Sequence, residues 1–255
     1  MEMDVMKQTQ RLDKILAHSG HGTRSEIKLL VKSGAVTVNG KAVKDSGLQV
    51  NPARDQIEVD GEKVVFQAQT YLMMNKPQGV ISATEDTRER TVLDLLKPPF
   101  DHLPLFPVGR LDKDTEGLLL LTDDGKLAHN LLSPKKHVAK TYYAEVYGHV
   151  NQADQAAFSI GVELDDGYVT MPAKLVILVE GDPSLMKDSK IELTIMEGKF
   201  HQVKRMFQSV GKKVTFLKRI SMGSLTLDEY LAPGEYRELS QQELLQLRSG
   251  KEVEV

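Results

Sequence analysis

Apolar positions in the first sixty residues recur at helical spacing and then at alternating spacing. RLDKILAHSG puts Leu12, Ile15 and Leu16 on one helical face, and Gly20 ends the run. Thr23 and Glu26 form a T-x-x-E capping box ahead of a second helix, whose stripe is Ile27, Leu30 and Val31 and whose stop is Gly34. VTVNGKAV and IEVDGEKV then alternate around Asn-Gly and Asp-Gly, pairs that accept the backbone of tight hairpin turns. This predicts two short helices followed by a small sheet, a unit over residues 1–66 with a thin core.

From Tyr71 the texture changes. YLMMNKPQGVIS gives two apolar runs about a turn, and TVLDLL reads as a short helix. KTYYAEVYG, AKLVILV and KIELTIM read as strands, and FHQVKRMFQSVG as a helix. GLLLL, closed by TDDG, is too short for a helix and reads as a strand buried on both faces. Strands outnumber helices, so the expected fold class is α+β, with a second domain over 67–245 and a polar tail over 246–255.

The 255-residue chain contains no cysteine, which excludes disulfides, thiolate metal sites and cysteine nucleophiles. The opening MEMDVMKQTQRLDK has no apolar core of signal-peptide length, and no run approaches the ~20 apolar residues of a membrane span. A cytoplasmic, membrane-free protein is expected. The net charge of −3 conceals a local asymmetry. Between Glu197 and Arg219 seven lysines and arginines face one acid, whereas from Leu225 onward seven acids face three bases. The first domain carries Arg11, Lys14, Arg24, Lys28 and Lys32, which suit phosphate contacts or, on the plainer reading, are ordinary surface cations.

No nucleotide-binding loop, dinucleotide fingerprint, serine elbow or zinc motif occurs, and the seven histidines are scattered. One constellation stands out. GRLDKDTEGLLLLTDDG sets Asp112, Asp114 and Glu116 at the entrance of the apolar strand, where a carboxylate is fixed to a rigid element at the core's edge. Asp112 is favoured, because Pro107 and Leu111 tie its segment down while Asp114 and Glu116 lie in a more polar arc. Such a carboxylate needs a cation. In FHQVKRMFQSVG the stripe Val203, Met206, Phe207 and Val210 leaves Lys204 at its border, able to reach inward, and points Arg205 away toward phosphate.

PVGRLDKDTEGLLLLTDDG resembles the GRLDxxTxGLLLLT signature of bacterial ribosomal RNA pseudouridine synthases. NKPQGVIS, SPKKHVAKTYYAEV and EGKFHQVKRMF agree with that family in order, and the first domain resembles its alpha-L RNA-binding module. The similarity runs from Arg11 to about Leu239. It implies a small helix-hairpin RNA-binding domain followed by a catalytic domain on a mixed, mainly antiparallel sheet with flanking helices. It implies that Asp112 is the essential aspartate, Tyr142 the tyrosine under the target base, and Lys204 the base paired with the aspartate. It further implies RNA contacts from Arg110, Lys140, His201, Gln202 and Arg205, beside Arg11, Lys14, Arg24 and Lys28 of the first domain. His21 departs from the family, standing where an aliphatic residue is usual, which bears on local packing and not on the chemistry.

By the same resemblance, the reaction is the isomerisation of uridine to pseudouridine, which uses no cofactor and no metal. Lys at 204, where large-subunit enzymes are expected to carry Arg, points to the small-subunit branch and to the uridine usually numbered 516 in 16S rRNA. The expected partner is 16S rRNA or a small-subunit assembly intermediate, met by a monomer. A synthase acting on 23S rRNA and a non-catalytic ribosome-assembly factor stand as alternatives. A glycoside hydrolase using Asp112 and Asp114 is a further rival, though it would have no use for an RNA-binding front end.

Overall fold

The computed structural model describes residues 9–64, 69–185 and 187–249. They form two compact units, the first taking residues up to Thr70 together with Leu93–Leu105, the second Tyr71–Val92 and the chain from Phe106 onward.

In the first unit β1 (Gln10–Arg11) leads into α1 (Leu12–His18) and α2 (Arg24–Ser33). The expected capping box forms, with the Thr23 N–H donating to Glu26 Oε2 at 2.7 Å, and Gly34 closes α2 in the left-handed conformation. β2 (Val36–Val38) and β3 (Lys41–Ala42) make the Asn-Gly hairpin. β4 (Gln49–Val50) pairs with β1, while β5 (Ile57–Val59) and β6 (Glu62–Lys63) make the Asp-Gly hairpin. Leu12, Ile15, Leu16, Ile27, Val31, Val36 and Ile57 are buried together beneath the helices. The boundary expected at residue 66 lies outside the described residues.

Residues 93–105 depart from expectation. TVLDLL gives only a single 3₁₀ turn, Leu93–Leu95, and the segment belongs to the first unit rather than to the second. Leu96, Leu103 and Leu105 are buried, and His102 Nε2 lies 3.1 Å from the Ala17 carbonyl oxygen.

The second unit is a nine-stranded mixed sheet. Its strands are β7 (Tyr71–Lys76), β8 (Phe106–Pro107), β9 (Glu116–Thr122), β10 (Lys140–Tyr147), β11 (Lys174–Val179), β12 (Ser189–Ile195), β13 (Lys213–Met222), β14 (Leu225–Thr226) and β15 (Tyr236–Glu238). The main path runs β11-β12-β10-β13-β9-β7-β15, every pair antiparallel except β13 with β9. The helices are α3 (Gly125–Leu132), α4 (Gln152–Ile160), α5 (Gln202–Ser209) and α6 (Gln241–Ser249).

β9 is the leucine run, and Leu118 to Leu121 are wholly buried; β7 pairs along that strand on one edge, while β13 meets its start and β8 its end on the other. DDG ends that strand as expected but also starts α3, whose N-cap Asp124 accepts from Lys126 N and Leu127 N and from the Tyr71 hydroxyl at 2.8 Å. The polar tail expected from residue 246 is helical as far as Ser249, with Leu247 in the core and Arg248 donating to the Tyr71 hydroxyl. Residues 250–255 of that tail lie outside the described residues.

Candidate active site

The turn carrying Asp112 is held from behind by the segment after β7. Ser82 Oγ and the Leu111 backbone exchange two hydrogen bonds at 3.0 Å, Gly79 N–H donates to the Lys113 carbonyl at 2.8 Å, and Lys113 pairs with Glu89. The second apolar run of YLMMNKPQGVIS is therefore a buttress rather than a strand.

Asp112 emerges from this turn with its side chain 27% exposed. Its Oδ2 accepts from Lys204 Nζ at 2.9 Å, and its Oδ1 stands 3.5 Å from His201 Nε2. The same ammonium donates to Asp114 Oδ1 at 2.6 Å, so an acid expected to be merely exposed, and indeed 69% exposed, shares the cation. Burial opposes the charge on Lys204, but hydrogen bonds to Asp114 and Asp112 outweigh it and hold its pKa above the usual lysine value. Burial likewise opposes the Asp114 charge, and Lys204 outweighs it, so that carboxyl lies below its usual range.

Lys204 reaches inward because Val203, Met206 and Phe207 pack the adjoining face of α5, Phe207 meeting Phe158 edge to face at 5.1 Å. Arg110, Asp112, Thr115, Tyr142, His201 and Leu217 line a cleft of about 80 Å³. Tyr142 is buried in its wall, on β10 opposite Arg219 of β13.

Beneath the acid lies a cation that the pattern analysis did not single out. Lys76, wholly buried at the end of β7, donates to the backbone carbonyls of Asp112 (2.9 Å), Thr115 (2.9 Å) and Pro77 (3.0 Å). Burial pushes its pKa down to about 8 despite the nearby Asp112, Asp114 and Glu116. Arg219 is buried beside Gly117 of β9 and donates from Nε to the Leu118 carbonyl at 2.8 Å. Its Nη2 and Thr115 Oγ1 are buried with no hydrogen-bond partner among the described residues.

An aspartate on the turn that enters a core strand, bridged to a helical lysine in a cleft with a buried tyrosine in its wall, suits chemistry at a sugar next to a flipped base. The sequence profile described as RNA pseudouridylate synthase matches residues 70–209, which include every residue of this cleft but Leu217. The chain belongs to the RNA pseudouridylate synthase family. It is thus an isomerase that rebuilds uridine in RNA as pseudouridine. An S4 domain profile matches residues 10–57, the helices and hairpins of the first unit.

Among relatives of the synthase, an RNA pseudouridine synthase of Bacillus subtilis is 53% identical over 92% of this chain and 96% of its own. The ribosomal large subunit pseudouridine synthase B of the same organism is 41% identical, covering 94% and 96%. The ribosomal small subunit pseudouridine synthase A of Pasteurella multocida is 42% identical, covering 92% and 97%. A crystal structure of a pseudouridylate synthase matches with a TM-score of 0.64 at 39% identity, covering 93% of this chain and 99% of that one.

The other residues singled out in the synthase sequence scatter. Arg110 is exposed at the cleft and makes no ion pair with any described residue. Arg205, expected to face phosphate, is instead held by Asp165 and Asp166, because the turn before Tyr168 brings both acids onto it. Gln202 is buried and bridges Glu197 and the Lys199 backbone, a part of the turn rather than an exposed contact. Lys140 is half-buried, donates to the Val138 carbonyl, and has its pKa pushed down to about 8 by burial and by Arg219. In the first unit Lys14, Arg24 and Lys28 are exposed, while Arg11 is paired with Asp13 at 2.6 Å. Lys76 had one signal in the sequence: it closes the apolar run YLMMNK, whose six residues are all buried in the structure.

Proposed function

We propose that this synthase converts a uridine of 16S ribosomal RNA, the position usually numbered 516, to pseudouridine, either on the free RNA or in an assembling small subunit. The observation that carries the reading is the Asp112 carboxylate, hydrogen-bonded to Lys204 at 2.9 Å in a cleft walled by Tyr142. Relatives named for the small and the large subunit are about equally similar, and the lysine at 204 is what favours the small subunit.

In this reading Asp112 acts at the ribose, either adding to C1′ or taking the 2′ proton. The bond between C1′ and uracil N1 breaks with its electron pair going to the base. The uracil turns over and C5 joins C1′, which releases the Asp112 carboxylate from C1′ in the first route or returns the proton to C2′ in the second; the proton on C5 then leaves to a base, for which the Tyr142 oxygen is the candidate, and N1 takes up a proton. Lys204 keeps Asp112 paired before substrate arrives, sparing it an uncompensated charge. The cleft has room for about two to three water molecules. A base therefore enters as the Lys204 bridge to the exposed Asp114 opens, an ion pair worth at most about 1 kcal/mol. Lys14, Arg24 and Lys28 supply phosphate contacts that offset the few kcal/mol spent in unstacking the target.

Pseudouridine mapping of 16S and 23S rRNA from cells with and without the protein tests the assignment. Loss of one site in 16S is expected; loss in 23S alone moves the target to the large subunit, and no loss in either removes the ribosomal reading. Asp112→Asn is expected to abolish conversion while RNA affinity changes by less than about threefold, since the carboxylate acts in the transition state. A variant that still makes pseudouridine overturns the role of Asp112.

A further inference from the structure

The turn between β12 and α5 exposes an aromatic ring that the reaction does not use, between Lys199 and His201, two residues that line the cleft. Phe200 is 70% exposed. Its ring lies on that of His201, with centroids 3.7 Å apart and planes 20° from parallel. His201 is held in the left-handed conformation at φ 49°, and its Nε2 stands 3.5 Å from Asp112 Oδ1. The stack therefore runs from the reacting carboxylate out to solvent, with the outer face of Phe200 as its last layer.

Single exposed apolar residues are common on protein surfaces. Phe200 differs in its setting. It is flanked in sequence by Lys199, whose ammonium sits 4.3 Å over the Tyr168 ring, while Lys204 and the exposed Arg110 border the same cleft. An aromatic face among cations at the rim of a nucleic-acid site is the arrangement that binds an unpaired base by stacking while the cations take the backbone. An apolar protein partner would gain nothing from these cations and would block the cleft.

We propose that Phe200, backed by His201, is a stacking platform for an unpaired nucleobase next to the target uridine, holding the strand once that uridine has been extruded. The proposal rests on the reading of this site as an RNA-modifying cleft, and names how the neighbouring nucleotide is bound.

The test titrates full-length wild type, Phe200→Ala, Phe200→Leu and Phe200→Trp with heptauridylate carrying 2-aminopurine at its centre, following fluorescence at low salt. Stacking tolerates any base, so the probe does not depend on the true target. Wild type and Phe200→Trp are expected to quench the probe. Phe200→Ala and Phe200→Leu are expected to bind about tenfold more weakly, the factor given by ~1.4 kcal/mol of stacking, with the quench lost. The Leu variant keeps the apolar bulk and separates stacking from simple burial. Because the ring is exposed, all four proteins should melt at the same temperature. On rRNA the Ala variant is expected to raise KM by a similar factor and leave kcat within about twofold.

An Ala variant that quenches and binds like wild type overturns the platform. Should wild type leave all rRNA unmodified while the titration still separates Phe200→Ala, the ribosomal reading falls and the platform stands.

Discussion

Lys76 has no exposed surface, and among the described residues its ammonium meets no carboxylate at hydrogen-bond distance; its three N–H donors go to three backbone carbonyls, two of them in the turn that carries Asp112. Its pKa near 8 lies below the value it has in the unfolded chain, so between about pH 8 and 10.5 the folded protein binds fewer protons and this group's contribution to stability rises with pH. Activity should move the opposite way. As pH climbs through 8 the amine loses one donor and so one of its three hydrogen bonds to backbone carbonyls, two of which hold the turn. An alkaline limb in kcat with an apparent pKa near 8 is expected. Lys76→Met should lower kcat by about 10- to 100-fold, the penalty of a displaced reacting group, and abolish that limb. Persistence of the limb in a pH-rate profile of Lys76→Met would assign it to another group, of which Lys140 is the other lysine near 8. At this scale helical spacing placed Lys204 at the border of its apolar stripe, while the ranking of Asp112 above Asp114 and Glu116 rested on Pro107 and Leu111, which tie its segment down. Arg205 was misread for the complementary reason: its partners Asp165 and Asp166 lie some 40 residues away, and no helical angle reveals them.

Where β9 and β13 meet in parallel, Gly117 faces Arg219, and a Cβ at Gly117 would lie 2.2 Å from the Arg219 carbonyl oxygen. Its φ of 103° adds a second obstacle for any L side chain. Gly117→Ala should therefore cost about 3 kcal/mol or more, combining overpacking with backbone strain. In a unit of this size that lowers Tm by roughly 6–12 °C. Gly125→Ala, with nothing within 4 Å of the added carbon and no positive φ, serves as the control and should melt within a degree or two of wild type. Calorimetry on the two variants reads the difference. The helices and hairpins of the first unit were legible because a capping box, a left-handed glycine and two turn dipeptides lie within a few residues of what they organise. The start of α3 was hidden by DDG, which ends one element and caps the next. β13 escaped notice because KVTFLKRISM mixes cations into its alternation; the buried Arg219 side chain is held there by donating from Nε to the Leu118 carbonyl.

The chain joins a unit with exposed cations to a unit that carries the Asp112 cleft. If the first unit contributes phosphate contacts, replacing Lys14, Arg24 and Lys28 together by Ala should weaken RNA binding and flatten the plot of log K against log salt by about 2–3, at roughly 0.7–0.9 per phosphate. Turnover of saturated RNA should be unchanged. Filter binding across salt concentrations measures the slope, and an unaltered slope would show that these side chains do not meet phosphate. Arg11 is left out because Asp13 already holds it. Read by itself, the sequence determined the order of the two parts, the α+β character, the buried leucine strand and the acid placed at its mouth; each is a short-range property, set by side chains two to four positions apart, whereas the mainly antiparallel sheet was implied by the family resemblance. Only the tertiary structure decided that residues 93–105 join the first unit, that Lys76 supports the Asp112 turn from 36 positions away, and that one ammonium bridges Asp112 and Asp114 across some 90. The reason is that a sheet pairs strands by closing long loops, and the groups such closure brings together carry no mark of one another in the local pattern.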